Sequence, residues 1–178
     1  MNLVECINTR RSIRKFTEDP VSHETIEKIV ELAKMAPSWK NTQITRYTIV
    51  ESKELKDKIA AEATIPFNAN SINSAAAVVA VSVVKSRCGF ERDGSYSTVK
   101  KDSWQMFDAG AAVQTFCLAA HEYGIGSVIM GIFDYDKVAE MVDMPDTQEM
   151  VALIALGYPD ETPEAPKRKT VEELLSYK

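Results

Sequence analysis

Histidine and cysteine are scarce in this chain. There are two histidines, His23 and His121, and three cysteines, Cys6, Cys88 and Cys117, among 178 residues. No C-x-x-C pair, H-x-x-x-H or H-x-x-E pattern occurs, so neither a disulfide framework nor a transition-metal ligand set is encoded. The thiols are expected as two on apolar helix faces and one in a loop, without a metal. Positive charge is also in deficit. Lys+Arg number 21 against 26 Asp+Glu, a net charge of −5, which argues against nucleic acid or an anionic membrane as the main partner. No apolar run reaches the ~18 residues of a membrane helix. Met1 to Arg14 lacks the basic-then-apolar order of a secretion signal, so the cytoplasm is the default location. What remains is an ordinary globular composition, 45% apolar and 26% charged, at a length suited to a single domain over residues 1–178.

The apolar periodicities predict a mixed chain in the order α-α-β-α-β-α-β-α-β. Leu3, Val4 and Ile7 sit at helical spacing within Asn2 to Asn8. Ser22 is placed to cap a helix with Ile26, Ile29, Val30 and Ala33 on one face, and Pro37 stops it. Arg46 to Glu51 alternates as a strand, and Ser52 opens a helix with Leu55, Ile59 and Ala63 inward. Ala76 to Val84 (AAVVAVSVV) is the apolar run of a strand covered on both faces. Lys85 to Asp102 is polar and aperiodic over a length unusual for a plain connection, which suggests a lid or a disordered loop. Ser103 to Tyr123 reads as an alanine-rich helix ended by Gly124, and Ile125 to Phe133 as a strand. Asp134 caps a helix bearing Val138, Met141 and Val142, and Met150 to Tyr158 is another buried strand. Pro159, Pro163 and Pro166 keep the tail extended until a short helical piece from Val171.

Gly124 to Gly131 (GIGSVIMG) begins like a dinucleotide fingerprint, but a helix precedes it, a strand follows it, and Ile129 fills the third glycine position. No phosphate loop of the G-x-x-x-x-G-K-[ST] type occurs either. Against the acidic background, RRSIRKF at Arg10 to Phe16 places three arginines and a lysine within seven residues, and Lys167, Arg168 and Lys169 form a second cluster. Guanidinium groups grip a phosphate through paired, charge-assisted hydrogen bonds, and a hydroxyl such as Ser12 completes a usual shell. For a lone basic run the better reading is a solvated face, and spacing alone does not bring the two clusters together. In APSWKNTQ (Ala36 to Gln43), carboxamides offer donors and acceptors suited to the edge of a heterocycle, although Pro-Ser-x-x-Asn is also ordinary turn chemistry.

Taken in order, RRSIRKF, APSWKNTQ, DAGAAVQTFCLAA (Asp108 to Ala120), HEYGIGSVIMGIFDYDKV, ALIALGYPDE and KRK resemble the FMN-dependent nitroreductase family, within the NAD(P)H-dependent flavin oxidoreductases. The resemblance implies an α+β fold, a central and mainly antiparallel sheet wrapped by helices, in a homodimer with FMN at its interface. Arg10, Arg11, Ser12 and Arg14 would hold the FMN phosphate and ribityl chain, joined by Lys167 and Arg168. Pro37, Ser38, Trp39 and Asn41 would reach the flavin from the partner subunit. Asn68 would lie near its ring, and Ile129, Met130, Gly131 and Ile132 would run past it with a backbone N–H near N5. The helix from Ser103 would form much of the dimer core, and a partner's exchanged tail often edges the sheet, although this tail is short after Arg168.

The implied activity is ping-pong transfer of hydride from NADH or NADPH through flavin N5 to nitroaromatics, quinones or similar conjugated electrophiles. No side chain is expected as a dedicated catalytic acid, because solvent can supply protons. Dehalogenation and flavin cleavage are other activities within the family, and a flavin-binding module for storage or sensing is a different reading. Ile44 and Thr45 stand where family members often have Pro-Trp after the glutamine, here Gln43.

Overall fold

The computed structural model describes residues 1–178. Its helices are α1 (Leu3–Thr9), α2 (His23–Ala33), α3 (Lys53–Ala63), α4 (Pro66–Ser74), α5 (Ser103–Glu122), α6 (Tyr135–Met141) and α7 (Val171–Leu174). The strands β1 (Thr45–Val50), β2 (Ala77–Val84), β3 (Gly126–Met130) and β4 (Gln148–Gly157) form one antiparallel sheet in the order β1-β2-β4-β3.

Successive side chains of a strand point to opposite faces, so the apolar runs of β2 and β4 supply two cores at once. Val78, Ala80, Leu153 and Ala155 enter one cluster, which Ile59 of α3, Ile72 of α4 and Val138 of α6 complete. Val79, Val81, Ile154 and Leu156 enter the other, with Ile26 and Ile29 of α2 and Phe116 of α5. The sheet therefore has helices on both faces. Three of the expected caps form: Ser22, Ser52 and Asp134 accept the backbone N–H groups of Thr25, Leu55 and Lys137.

Three expectations are corrected. The periodicities predict no helix between Ala63 and Ala76, yet PFNANSINS forms α4; its asparagines and serines hide the apolar face that Ile72 buries, and Pro66 at the first turn is its clearest sequence signal. The 85–102 segment is not disordered. It folds as turns with a Phe90–Tyr96 bridge and sinks Cys88 into a third apolar cluster with Ile44, Val83 and Ala109. β3 also ends at Met130, short of Phe133, which instead meets Thr64 in an isolated bridge. All three cysteines are buried and free, Cys6 on α1, Cys117 on α5 and Cys88 in the loop.

Candidate functional site

After α1 the chain runs extended beside the free edge of β3. The Ile13 N–H donates to Ser127 O at 3.0 Å, and Ser12 bridges Ser127 in parallel. Glycine makes this approach possible, because a Cβ on Gly126 would lie 2.9 Å from Ile13 Cβ. Alternation along an extended segment then sorts the residues. Ile13 enters the core, while Arg10, Ser12 and Arg14 line a cavity of about 150 Å³ with Gln114 and Cys117 of α5 and Ser127, Val128 and Ile129 of β3.

Arg11 belongs to the opposite side. Its Nη1 donates to Asn8 O and Arg10 O, and it shares a neighbouring cavity of about 410 Å³ with Arg10, Thr9, His121 and Glu161. Burial, then Arg10, holds the His121 imidazole below its ordinary pKa, and its Nε2 lies 2.8 Å from Thr9 Oγ1. Burial pushes the Cys117 thiol up, so it lines the first cavity uncharged. No carboxylate lies within ion-pairing distance of the guanidinium groups of Arg10, Arg11 or Arg14, and Glu161 nearby is engaged by backbone N–H groups instead. Like charges gathered without a counter-ion make a site for an anion.

The tail begins along the same segment. Thr17 N–H donates to Tyr158 O at 2.9 Å, Asp160 N–H to Lys15 O at 3.0 Å, and Glu161 accepts the N–H groups of Arg14 and Lys15. Lys167 and Arg168 lie farther on, exposed, and line neither cavity. At the other end of the cradle the Arg14 guanidinium sits 5.6 Å over the Phe67 ring. The neighbouring Asn68 is buried and its Nδ2 donates to Ile132 O at 2.9 Å. This bond fixes the end of β3 and the strip beyond it, in which Ile129 and Ile132 are exposed, Met130 is buried and Gly131 O accepts the Tyr135 hydroxyl at 2.9 Å.

Pro37, Ser38, Trp39 and Asn41 are elsewhere. They belong to a turn between α2 and β1, and Pro37 and Ser38 line a cavity of about 350 Å³ that contains none of the three arginines. Lys40, Asn41 and Gln43 all adopt left-handed backbone conformations, at φ 46°, 55° and 49°. Four backbone N–H groups of this turn are satisfied. Asn41 donates to Ser38 O at 3.0 Å, Thr42 to Trp39 O at 2.9 Å, Gln43 to Ser38 Oγ at 3.0 Å, and Trp39 to Asp108 Oδ2 at 2.9 Å. The Trp39 ring lies 4.7 Å from that of Trp104.

Sequence reasoning missed Gln114, Ser127 and Asp108. For Asp108 and Gln114 the available signal was polar side chains interrupting the alanine-rich DAGAAVQTFCLAA. A larger cleft of about 840 Å³ lies between α6 and β4, but Asp136, Glu140, Asp143, Asp146 and Glu149 line it against Lys85. That charge repels a phosphate, so the arginine cradle is the better anion site despite its smaller volume.

The sequence pattern of the nitroreductase family matches residues 7–158. An oxygen-insensitive NADPH nitroreductase of Helicobacter acinonychis is 30% identical over 181 aligned residues, covering 86% of this chain and 85% of that protein. A solved nitroreductase family protein from Streptococcus pneumoniae superposes with a TM-score of 0.87 at 25% identity, over 99% of this chain and 100% of its own. The fold is also that of a protein from Exiguobacterium sibiricum solved in complex with FMN, with a TM-score of 0.85 at 23% identity over 100% and 98% of the two chains. The chain belongs to the nitroreductase family.

Proposed function

We propose that this protein is an NAD(P)H-dependent FMN oxidoreductase that works as a homodimer on nitroaromatics, quinones or similar flat electrophiles. The observation that supports it most is the arginine cradle without counter-ions beside β3. The residues fit FMN. Arg10 and Arg14 offer charge-assisted donors to a phosphate, and the Ser12 and Ser127 hydroxyls and the Gln114 carboxamide suit a polyol chain. Beyond them, the exposed Ile129 and Ile132 form an apolar shelf for a flat ring, with the Asn68 carboxamide beneath. Lys167 and Arg168 would close on the phosphate from the tail.

When bound, FMN supplies two-electron transfer, accepting hydride from NADH or NADPH and delivering it to the second substrate. The protein's part is placement. The cradle orders the phosphate end, the Asn68–Ile132 bond fixes the backbone at the ring, and Pro37, Ser38, Trp39 and Asn41 would cover the ring from the partner subunit. A dimer is supported by apolar side chains that the single chain leaves in water: Leu3, Val4 and Ile7 on α1, Phe107 on α5, and Ile129 and Ile132. Gly110 lies on the same outward side of α5, with no atom within 4 Å of where its Cβ would be, so another helix could approach closely.

Steady-state assays of the FMN-loaded protein with NADH or NADPH and a quinone or nitroarene test the proposal. Parallel-line kinetics are expected. Failure to turn over any acceptor would refute it, and release of halide or of a benzimidazole would redirect it to dehalogenation or flavin cleavage.

A further inference from the structure

Asp108 is a carboxylate on the buried side of α5, 3% exposed, with no cation in ion-pairing reach. Such a group is costly to bury unless donors satisfy it. Its Oδ2 accepts two, from distant parts of the chain: the Trp39 N–H at 2.9 Å and the Cys88 thiol at 3.0 Å. Cys88 is wholly buried. Burial first, then Asp108, pushes its thiol up to about 12, so it remains a protonated donor around neutral pH.

We propose that Asp108 is a positioning residue, the buried anchor that holds the Ser38–Gln43 turn in its working shape and ties the 85–102 loop to the same oxygen. The inference rests on the reading above, in which this turn faces the partner's flavin. Three left-handed residues without glycine make a turn that relaxes unless its surroundings hold it. The turn also reaches the loop through Lys40, whose Nζ lies 2.7 Å from Glu91 and 3.5 Å from Ser97, but this pair is about half exposed and so contributes little. Asp108 holds the turn from inside, at 3% exposure, where a charge-assisted bond is stronger than at the surface. The same helix lines the arginine cavity through Gln114 and Cys117. α5 thus supports both the cradle and the turn.

Backbone amide exchange of the full-length protein tests this, comparing wild type with Asp108→Asn and Asp108→Ala. In Asp108→Ala, the amides of Trp39, Asn41, Thr42 and Gln43 should exchange about tenfold faster or more, with those of β2 unchanged. Asp108→Asn should fall between, because a neutral carboxamide still accepts but more weakly. In the FMN-loaded enzyme, Asp108→Ala should raise KM for a quinone about fivefold and weaken FMN binding by less than the about tenfold expected of Arg10→Ala. Turn amides at the wild-type rate in both variants, or equal acceleration throughout β2, would overturn the anchor. An unchanged KM beside faster turn exchange would overturn its role at the site. If Asp108→Ala does not fold, Asp108→Asn decides alone. Exchange is read without flavin, so a protein that binds no FMN would refute the proposed function and leave the anchor standing.

Discussion

The arginine segment and the Ser38–Gln43 turn are both short, polar and named by the same family resemblance, yet they are built in opposite ways. Residues 10–14 are extended against a strand edge, so a period of two places Arg10, Ser12 and Arg14 on one side and Ile13 in the core. Residues 38–43 curl through three left-handed conformations and depend on Asp108, some seventy residues away along the chain, for one of their hydrogen bonds. A site element made by local periodicity is rigid because its neighbours are. One made by a strained turn is rigid only while its anchor holds.

The contrast breaks first at Gly126. Gly126→Val would push a side chain into Ile13 and lift the arginine segment off β3. Overpacking of this kind costs about 1–3 kcal/mol in stability. FMN affinity should fall about a hundredfold, since at least two charge-assisted contacts would be misplaced together. A thermal melt and a flavin titration read the two effects separately.

Next come the charges themselves. Arg10→Ala and Arg14→Ala should each weaken FMN binding about tenfold, with no comparable change in melting temperature. Lys167→Ala and Arg168→Ala should do the same if the tail closes over the phosphate, and isothermal titration would show it. In the turn the sign reverses. Lys40→Gly relieves a left-handed backbone at φ 46° and loses an exposed ion pair, a long contact to Ser97 and a cation placed 5.8 Å over the Trp39 ring, all weak, so chemical denaturation should show a stability unchanged or raised by up to about 1 kcal/mol.

The smallest effect is a pH dependence beside the cradle. His121 faces Arg10, Arg11 and Glu122, and its folded pKa lies below the ordinary 6.5, so the unfolded chain binds the proton more readily. Its contribution to stability is therefore intact above about pH 6.5 and is lost as pH falls from there through the lowered folded value. His121→Gln should flatten that part of the stability-versus-pH curve. His23, raised by Glu51, has the opposite sign, losing its contribution as pH rises through its folded value, and His23→Gln serves as the control.

The same contrast explains what the sequence made legible. Strands β2 and β4 announced themselves because both faces are buried, and α2, α3 and α6 because serine or aspartate caps precede an apolar stripe. The arginine cradle was legible because its determinants are adjacent. Helix α4 was not, because its polar residues outnumber the one large apolar side chain that it buries fully. Asp108 and Cys88 were not, since a buried carboxylate and a loop thiol look like a helix surface residue and a spacer until the fold brings them to 3.0 Å. The structure also separates Pro37 and Ser38 from the arginines within one chain, so under the proposed function the two groups would meet only across a dimer.

The most direct measurement is a titration of the full-length protein with FMN, followed by visible absorption and flavin fluorescence, beside the same titration of Arg10→Ala/Arg14→Ala. The account predicts tight, saturable binding by the wild type and a loss of about a hundredfold in the double variant if the two contacts add. A wild-type protein that takes up no FMN, or a double variant that binds it equally well, would contradict the claim that this cradle is the cofactor site.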